Sequence, residues 1–116
     1  RSSVSDHIKA GIKLKRHIDN FLPAEIKDPK ERIKFILASY NAGVYHVLDA
    51  RNLARKYGKN PNIWTNNVDY YMKLKSKPKY YNDPVVKYGY SRGKETYDFV
   101  IEVLERSNHY KNIVKN

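Results

Sequence analysis

The sequence predicts an all-α protein with five to six helices, and three observations point to this class. Apolar residues recur at intervals of three and four along most of the 116-residue chain, as they do on the buried face of a helix. Capping residues precede several of these segments, and glycine or proline follows them. No segment alternates β-branched and polar residues as a strand would. We therefore expect residues 1–116 to form one compact domain.

The first helix is predicted to end before Pro23, with Ser5 or Asp6 as its N-cap. Proline cannot continue the hydrogen-bond ladder of a helix, so the chain should turn there. The apolar positions that repeat at helical spacing, and should face the core, are Val4, Ile8, Ile12, Ile18, Phe21 and Leu22.

The second helix has a clear start signal in the sequence Asp-Pro-Lys-Glu. Asp28 can cap the helix, Pro29 suits its first position, and Glu31 stands where a capping box has its acidic residue. Four residues of this helix are expected to lie on one side of it: Ile33, Ile36, Leu37 and Tyr40.

The stretch Tyr40-Asn41-Ala42-Gly43 then interrupts the apolar pattern, because asparagine and glycine both disfavour a helix interior. A third helix is predicted from Val44 to Tyr57, ending at Gly58, which suits a left-handed C-terminal cap. Its inward positions should include Val47, Leu48 and Ala54. The interruption is either a simple corner between two helices or a working surface.

Beyond a loop at residues 59–62, Thr65 is expected to cap a fourth helix. The inward positions of that helix should be Val68, Tyr71 or Met72, and Leu74. Residues 75–94 are the least regular segment; Gly89 and Gly93 are assigned to turns, and Pro84 to Lys87 to a single turn. The last helix is predicted from Glu95 to about His109, following Tyr97, Val100, Leu104 and Ser107.

Composition narrows the function without choosing one. Lys and Arg number 23 against 12 Asp and Glu, a formal charge of +11, which favours nucleic acid, an acidic membrane or an anionic cell-wall polymer as partner. The basic residues are scattered, so a solvated face explains most of them. Eleven tyrosines against three Phe and one Trp suit half-buried positions and polar grooves such as sugar sites.

The sequence lacks the residues that several common kinds of catalytic or binding site require. The chain has no cysteine, hence no thiolate metal site, disulfide or cysteine nucleophile. The histidines lack metal-binding spacings, and no nucleotide-binding glycine motif or serine nucleophile elbow occurs. We expect no metal and no organic cofactor. The four histidines, which are better explained as surface or capping residues, are His7, His17, His46 and His109.

The segment around the interruption, LASYNAGVYHVLDARNLARKYGKNPNIW, resembles the lytic transglycosylases with a lysozyme-like, or SLT, catalytic domain, and among them the membrane-bound type called F. Their third motif reads A-x-YNAG and is commonly followed by GHVLDAR-x-LA-x-KYG. Three further stretches resemble other family segments: DHIKAGIKL, DPKERIKFILASYNAG and KSKPKYYNDPVVKYGYSRGKETYDFV. The resemblance spans essentially residues 6–110, the C-terminal portion of such a catalytic domain.

This resemblance implies a lysozyme-like helical lobe that forms part of a groove for peptidoglycan glycan strands, in the periplasm or cell envelope. The implied reaction is non-hydrolytic cleavage between N-acetylmuramic acid and N-acetylglucosamine, giving 1,6-anhydro ends. Nucleic acid is not an expected partner, and any association with the outer membrane would come from parts outside this chain. The implied substrate-binding residues are Tyr40, Asn41, Ala42, Gly43, Tyr45 and Phe99.

The family's single acid/base glutamate is not found in this sequence. In the family it belongs to a Glu-Ser motif, followed by Gly-Leu-Met-Gln, and both precede the segment that DHIKAGIKL resembles. None of the glutamates here is followed by serine. We therefore expect the acid to lie N-terminal to Arg1, no catalytic residue within the chain, and no activity from the 116 residues alone.

Two positions depart from the family pattern. Tyr45 stands where the family often has glycine or another small residue, and its bulk would narrow the groove or stack on a sugar. Phe99 replaces the usual tyrosine of the fourth motif and lacks its hydroxyl. Tyr97 is a poor substitute, because two residues along a helix turn by about 200°.

Three other interpretations stay open at this point. The corner could be scaffold alone, with Asn41 capping a helix and Tyr40 packed. The chain could be a non-catalytic glycan-binding remnant. It could also be a basic helical nucleic-acid-binding module, in which tyrosines stack on bases and lysines contact phosphates.

Overall fold

The structure, a computed structural model, describes the backbone of residues 4–115 and the side chains of residues 13–108. Over these residues it is all-helical, with six helices and no strand, which confirms the predicted class. The helices are α1 (Val4–Phe21), α2 (Pro29–Ala42), α3 (Val44–Lys56), α4 (Asp69–Leu74), α5 (Pro78–Tyr81) and α6 (Gly93–Lys115).

Helices α2, α3, α4 and α6 enclose the core, and Trp64 closes one side of it. The rings of Phe35 and Trp64 meet edge to face with centroids 5.4 Å apart, a favourable geometry for aromatic pairs. The other buried apolar residues of these elements are Ile36, Ala38, Val47, Ala50, Leu53, Ala54, Val68, Tyr71, Met72 and Val100. The inward positions Val47 and Ala54 are thereby confirmed, whereas Leu48 is only half-buried.

Helix α1 ends before Pro23, as predicted. Ile18 and Leu22 are buried as expected, but Phe21 is half-exposed, with its ring against His17 and Tyr45. The expected cap at Ser5 or Asp6, and the burial of Val4, Ile8 and Ile12, lie outside the residues whose side chains are described.

Arg32 of α2 holds the segment that follows α1 in place. Its guanidinium pairs with the carboxylate of Asp19 at 2.7 Å. The same group donates hydrogen bonds to backbone carbonyls of Asp19, Leu22, Pro23 and Ile26. A single planar cation thus satisfies several carbonyl groups that the end of a helix leaves unpaired.

The start of α2 is correctly predicted, although its capping box forms only in part. Asp28 accepts a hydrogen bond from the Lys30 N–H at 2.9 Å, and Pro29 takes the first position. Glu31 turns away instead and accepts the backbone N–H groups of Trp64 and Thr65, both at 2.9 Å. This long-range contact ties α2 to the turn before α4.

Thr65 does not cap the fourth helix, contrary to the prediction. Residues 64–68 form a wide turn, in which Thr65 is extended and Asn66 is left-handed at φ 62°. α4 then begins at Asp69 without a side-chain cap. Val68, Tyr71 and Met72 are nevertheless buried as expected, because the apolar spacing holds even though the start of the helix shifts.

Residues 75–94 contain one short helix that the sequence did not predict, α5, and a turn closed by the hydrogen bond from Val86 N–H to the Asp83 carbonyl at 2.9 Å. α6 begins at Gly93, two residues before the predicted Glu95, and extends beyond the predicted His109. Gly93 is therefore a helix residue rather than a turn residue. Within the part of the chain described, no helix is both long and apolar enough to cross a membrane.

Candidate functional site

The corner between α2 and α3 is made by one residue. Gly43 has φ 98° and ψ 140°, a conformation that side-chain-bearing residues rarely adopt. Its N–H donates to the Ser39 carbonyl at 2.8 Å and so closes α2, and its own carbonyl begins α3. A Cβ at this position would meet nothing within 4 Å. Glycine is thus required for the backbone angle, and open space lies in front of it.

Tyr40 lies beside this corner on the outside of the protein. It is 60% exposed, so the scaffold alternative in which Tyr40 is packed is wrong. Its ring stacks on Phe99 of α6, with centroids 6.1 Å apart and planes 21° from parallel. The structure therefore brings two predicted site residues together, with the Tyr40 ring largely accessible.

Asn41 ties the corner to α6. Its Oδ1 accepts a hydrogen bond from the Thr96 hydroxyl at 2.7 Å, while its Nδ2 makes no hydrogen bond within the described residues. Asn41 lies inside α2, and Gly43 occupies the cap position, so the scaffold interpretation with Asn41 as a cap is wrong. Ala42 is half-buried and packs against the core.

A small open pocket of about 190 Å³ lies next to these residues. It is polar, and it is lined by Asn41, Ala42, Ser91, Arg92, Glu95 and Thr96. Tyr97 lies on a different surface of α6, where Lys73 Nζ sits 4.4 Å from its ring centroid. The helical geometry that argued against Tyr97 as a substitute for Phe99 is therefore confirmed.

Tyr45 forms a second exposed aromatic pair. Its ring stacks on Tyr88, with centroids 4.7 Å apart and planes 27° from parallel, and Phe21 approaches it edge-on at 6.4 Å. Sequence reasoning did not identify Tyr88. The available signal was the concentration of tyrosines in residues 75–94, but their spacing there follows no regular element.

A buried ion pair lies beneath this second pair. Lys75 and Asp49, with side chains 0% and 1% exposed, meet at 2.8 Å. Lys75 Nζ is also 2.7 Å from His46 Nδ1, which therefore accepts and places the ring proton on Nε2. Burial lowers the pKa of Lys75 below its ordinary value, and Asp49 opposes that change. Burial and the neighbouring Lys75 likewise lower the pKa of His46.

The glutamates of the described region do not resemble an acid/base catalyst. Burial acts to raise the pKa of Glu31, but hydrogen bonds from Lys34 and Thr65 outweigh it and hold that pKa below its ordinary value. Such a group stays ionised, whereas a general acid at neutral pH needs a raised pKa. Glu95 is exposed and lies 3.9 Å from Arg92. Among the described residues, no cluster of three or more acidic or histidine side chains could hold a metal ion.

Comparison with known proteins finds relatives named membrane-bound lytic murein transglycosylase F. No protein-family profile matches the chain. The chain is 37% identical over 116 residues, its whole length, to membrane-bound lytic murein transglycosylase F of Haemophilus influenzae (strain PittGG). It is 43% identical over 100 residues to the protein of that name from Shewanella woodyi, and 41% over 101 residues to that from Klebsiella pneumoniae, in each case 86% of the chain. The chain spans about a fifth of these relatives' length, 22%, 20% and 19% respectively.

Proposed function

Because the chain is homologous to a segment of the membrane-bound lytic murein transglycosylases F, we propose that it forms one wall of the glycan groove of a peptidoglycan lytic transglycosylase. The observation that carries this proposal is the α2–α3 corner. There Tyr40, Asn41 and Gly43 present an exposed ring, a free amide donor and open backbone side by side.

The proposed reaction cleaves the bond between N-acetylmuramic acid and N-acetylglucosamine without water. A glutamic acid first protonates the glycosidic oxygen as that bond breaks. The resulting carboxylate then removes the proton from the muramyl 6-hydroxyl, whose oxygen closes the 1,6-anhydro ring. We assign this glutamate to a segment outside the 116 residues, because no glutamate here is followed by serine and Glu31 is committed to the backbone of residues 64–65.

Each corner residue has a distinct part in this proposal. The Tyr40 ring, supported from behind by Phe99, offers an apolar face and a hydroxyl to the sugar. The Asn41 Nδ2 is the donor left over once Thr96 has engaged Oδ1. Gly43 keeps the wall open, since no side chain projects from it.

Binding to purified peptidoglycan sacculi tests the substrate class. We expect the 116-residue chain to bind sacculi over a series of salt concentrations and to release no anhydro-muropeptides detectable by mass spectrometry. Binding to nucleic acid should fall steeply with salt, because each neutralised phosphate releases counterions. Nucleic-acid binding that survives physiological salt, together with no binding to sacculi, would show that the proposed substrate is wrong.

Turnover tests the corner itself, in an enzyme that also contains the N-terminal segment. Tyr40→Phe retains the ring and loses only the hydroxyl, so we expect kcat to fall about three- to tenfold with an unchanged Tm. Asn41→Asp retains the acceptor for Thr96 but loses the amide donor, whereas Asn41→Ala loses both. We expect both Asn41 variants to reduce kcat, and only Asn41→Ala to lower Tm markedly. If Tyr40→Phe and Asn41→Asp were as active as wild type, the corner would have only a structural role.

The cell envelope is the location that fits this substrate, and we propose it for the whole enzyme. The relatives are named membrane-bound. We assign any attachment to the outer membrane to parts outside this chain. Fractionation of cells that produce the complete protein, followed by immunodetection, would test both statements.

A further inference from the structure

Tyr45 and Tyr88 form an aromatic surface whose outer faces are free. Their side chains are 47% and 50% exposed although the two rings stack on each other. Among the described residues, no lysine or arginine lies over either ring, in contrast to several other tyrosines of the chain. The rings border a cleft of about 240 Å³ lined by Tyr45, Leu48, Asp49, Arg51, Asn52, Lys87 and Tyr88.

The segment that carries Tyr88 is held in place from below by Asp49. Its Oδ1 accepts the Lys87 backbone N–H at 2.8 Å, and its Oδ2 accepts the Tyr88 N–H at 2.9 Å. Lys75 neutralises the carboxylate and also donates to His46, the residue that follows Tyr45. The network therefore holds the Tyr88 backbone directly and contacts α3 at His46, next to Tyr45.

Such a network fixes the positions of the groups that it joins but adds little net stability to the fold. Removing two charges from water costs several kcal/mol per ion, so a buried pair seldom stabilises a fold more than apolar residues of similar size would. Here the carboxylate satisfies two backbone N–H groups of a segment that has no helical hydrogen bonds of its own. The pair of rings is thus preorganised, and a ligand would not have to order it.

We propose that Tyr45 and Tyr88 form a subsite for one pyranose ring of a murein strand, with Asp49 as the positioning residue that holds Tyr88 in the subsite. This inference rests on the proposed function and extends it beyond the corner. A tyrosine face suits the apolar face of a sugar, and its hydroxyl suits the sugar's hydroxyl groups. Tyr45 lies two residues after Gly43, at the start of α3, so the proposed subsite adjoins the α2–α3 corner along the chain.

The charge of the cleft favours the same occupant. Lys87 is exposed at its edge, where it can meet the carboxylates of the peptides attached to muramic acid. Arg51 is committed elsewhere, since it donates to the Pro61 carbonyl and to Asn62 Oδ1. The ring surface should therefore bind the sugar, and Lys87 should contribute only when the peptides are present.

Binding of the 116-residue chain to peptide-free glycan strands, prepared from sacculi with an amidase, tests the subsite. We expect Tyr45→Ala and Tyr88→Ala each to weaken binding roughly tenfold, the loss of one aromatic contact. Tyr70→Ala is the matched control, because Tyr70 is 49% exposed but lies under Lys73; its affinity should equal that of wild type. Lys87→Ala should weaken binding to intact sacculi and leave the peptide-free strands unaffected.

The positioning role needs a separate readout. In the double variant Asp49→Asn with Lys75→Met, both buried charges are removed and one acceptor oxygen is retained. We expect it to stay folded, to show altered NMR signals for the Tyr88 amide and ring, and to bind strands as weakly as Tyr88→Ala. A merely structural Asp49 would lower Tm while the folded variant still bound strands with wild-type affinity.

Failure of the subsite and failure of the proposed function give different results. Wild-type affinity in both Tyr45→Ala and Tyr88→Ala would overturn the subsite, while binding to sacculi would still support the groove. No binding of wild type to either strands or sacculi would overturn both proposals. Binding to single-stranded nucleic acid in place of strands, weakened by the same two substitutions, would also overturn both, because the rings would then stack on bases.

Discussion

Two groups of tyrosine rings in the described part of the chain differ in their surroundings. One group joins α3, α4 and α5: Tyr57, Tyr70, Tyr71 and Tyr80 contact one another at centroid distances of 5.2 to 6.4 Å. Lysines lie over three of its rings, namely Lys56 over Tyr57, Lys73 over Tyr70 and Lys79 over Tyr80. The other group consists of the Tyr40–Phe99 and Tyr45–Tyr88 pairs. Among the described residues, no lysine lies over these rings.

The difference separates rings that stabilise the fold from rings that remain free for a ligand. Tyr71 is buried in the first group, and burial raises its pKa above the ordinary value, as do its tyrosine neighbours. Cations over an aromatic face occupy the position that a ligand would otherwise take. In the second group Tyr40, Tyr45 and Tyr88 are each about half exposed or more. Composition counts all eleven tyrosines alike, whereas the structure separates these two groups by their surroundings.

The largest effect on stability should come from a substitution at the close contact between α6 and α4. Gly93 begins α6 against α4, and a Cβ on it would overlap the Met72 carbonyl oxygen and lie 2.9 Å from the Lys73 Cα. Because the obstacle is backbone, Gly93→Ala should destabilise the protein by more than about 3 kcal/mol. Thermal unfolding followed by circular dichroism would measure this.

Lys94→Ala, at the next and exposed position of α6, is the control for Gly93→Ala. It removes only a surface ion pair with Asp98, and such pairs contribute little to stability. We expect its Tm to lie close to that of wild type. A Gly93→Ala protein that melts like the control would show that the close packing of α4 and α6 is not required.

A pair of truncations compares the two groups directly. Tyr71→Ala removes a buried ring and should cost about 3 kcal/mol or more of unfolding free energy in urea. Tyr40→Ala removes a ring that is mostly exposed and should cost less than about 1 kcal/mol. Among the folded proteins, Tyr40→Ala should lose more affinity for sacculi than Tyr71→Ala, the opposite of the order in stability. Equal destabilisation by the two substitutions would remove the distinction between the groups.

The smallest effect concerns pH and the support beneath Tyr45 and Tyr88. The folded-state pKa of His46 lies below its ordinary value of 6.5, so between these two values the unfolded chain binds the extra proton. Stability should therefore fall as pH drops below 6.5, and the loss should be complete once pH passes the folded-state pKa. The groups that face His46 in the network are Lys75 and Asp49.

Urea unfolding at several pH values between 7 and 5 would measure that dependence. Gln cannot titrate, so His46→Gln should make the free energy of unfolding nearly independent of pH in this range. The acid loss due to Glu31, whose pKa is lowered, falls below its ordinary value of 4.5 and so should be unchanged. An identical pH dependence in wild type and His46→Gln would contradict the lowered pKa of His46.

Local chemistry was sufficient to predict much of the fold. Asp28 and Pro29 start α2, Gly43 separates α2 from α3, and Gly58 has the expected left-handed φ of 82° at the end of α3. These signals act through neighbouring backbone groups, so they can be recognised without knowing the rest of the molecule. The apolar spacing of the longer helices also identified part of the core, including Ile36, Val47, Ala54 and Val100, but did not assign Ala38, Ala50 or Leu53 to it.

The candidate site was predicted in part. Tyr40 is exposed and contacts Phe99, and Asn41 is tied to Thr96, 55 residues further along, whereas glycan binding by these residues and Gly43 stays a prediction. Tyr88 was missed altogether. Its position depends on Asp49, a carboxylate that spacing on α3 does not distinguish from a surface residue.

The sequence by itself determined the helical class, the α2–α3 corner and the absence of a Glu-Ser acid from these 116 residues. Only the tertiary structure decided which polar groups pair across long separations: Glu31 with residues 64–65, and Asp49 with Lys75 and the backbone at residues 87–88. The physical reason is that helix caps and periodicity act within a few residues, whereas a buried carboxylate accepts whichever donors the packed helices bring to it.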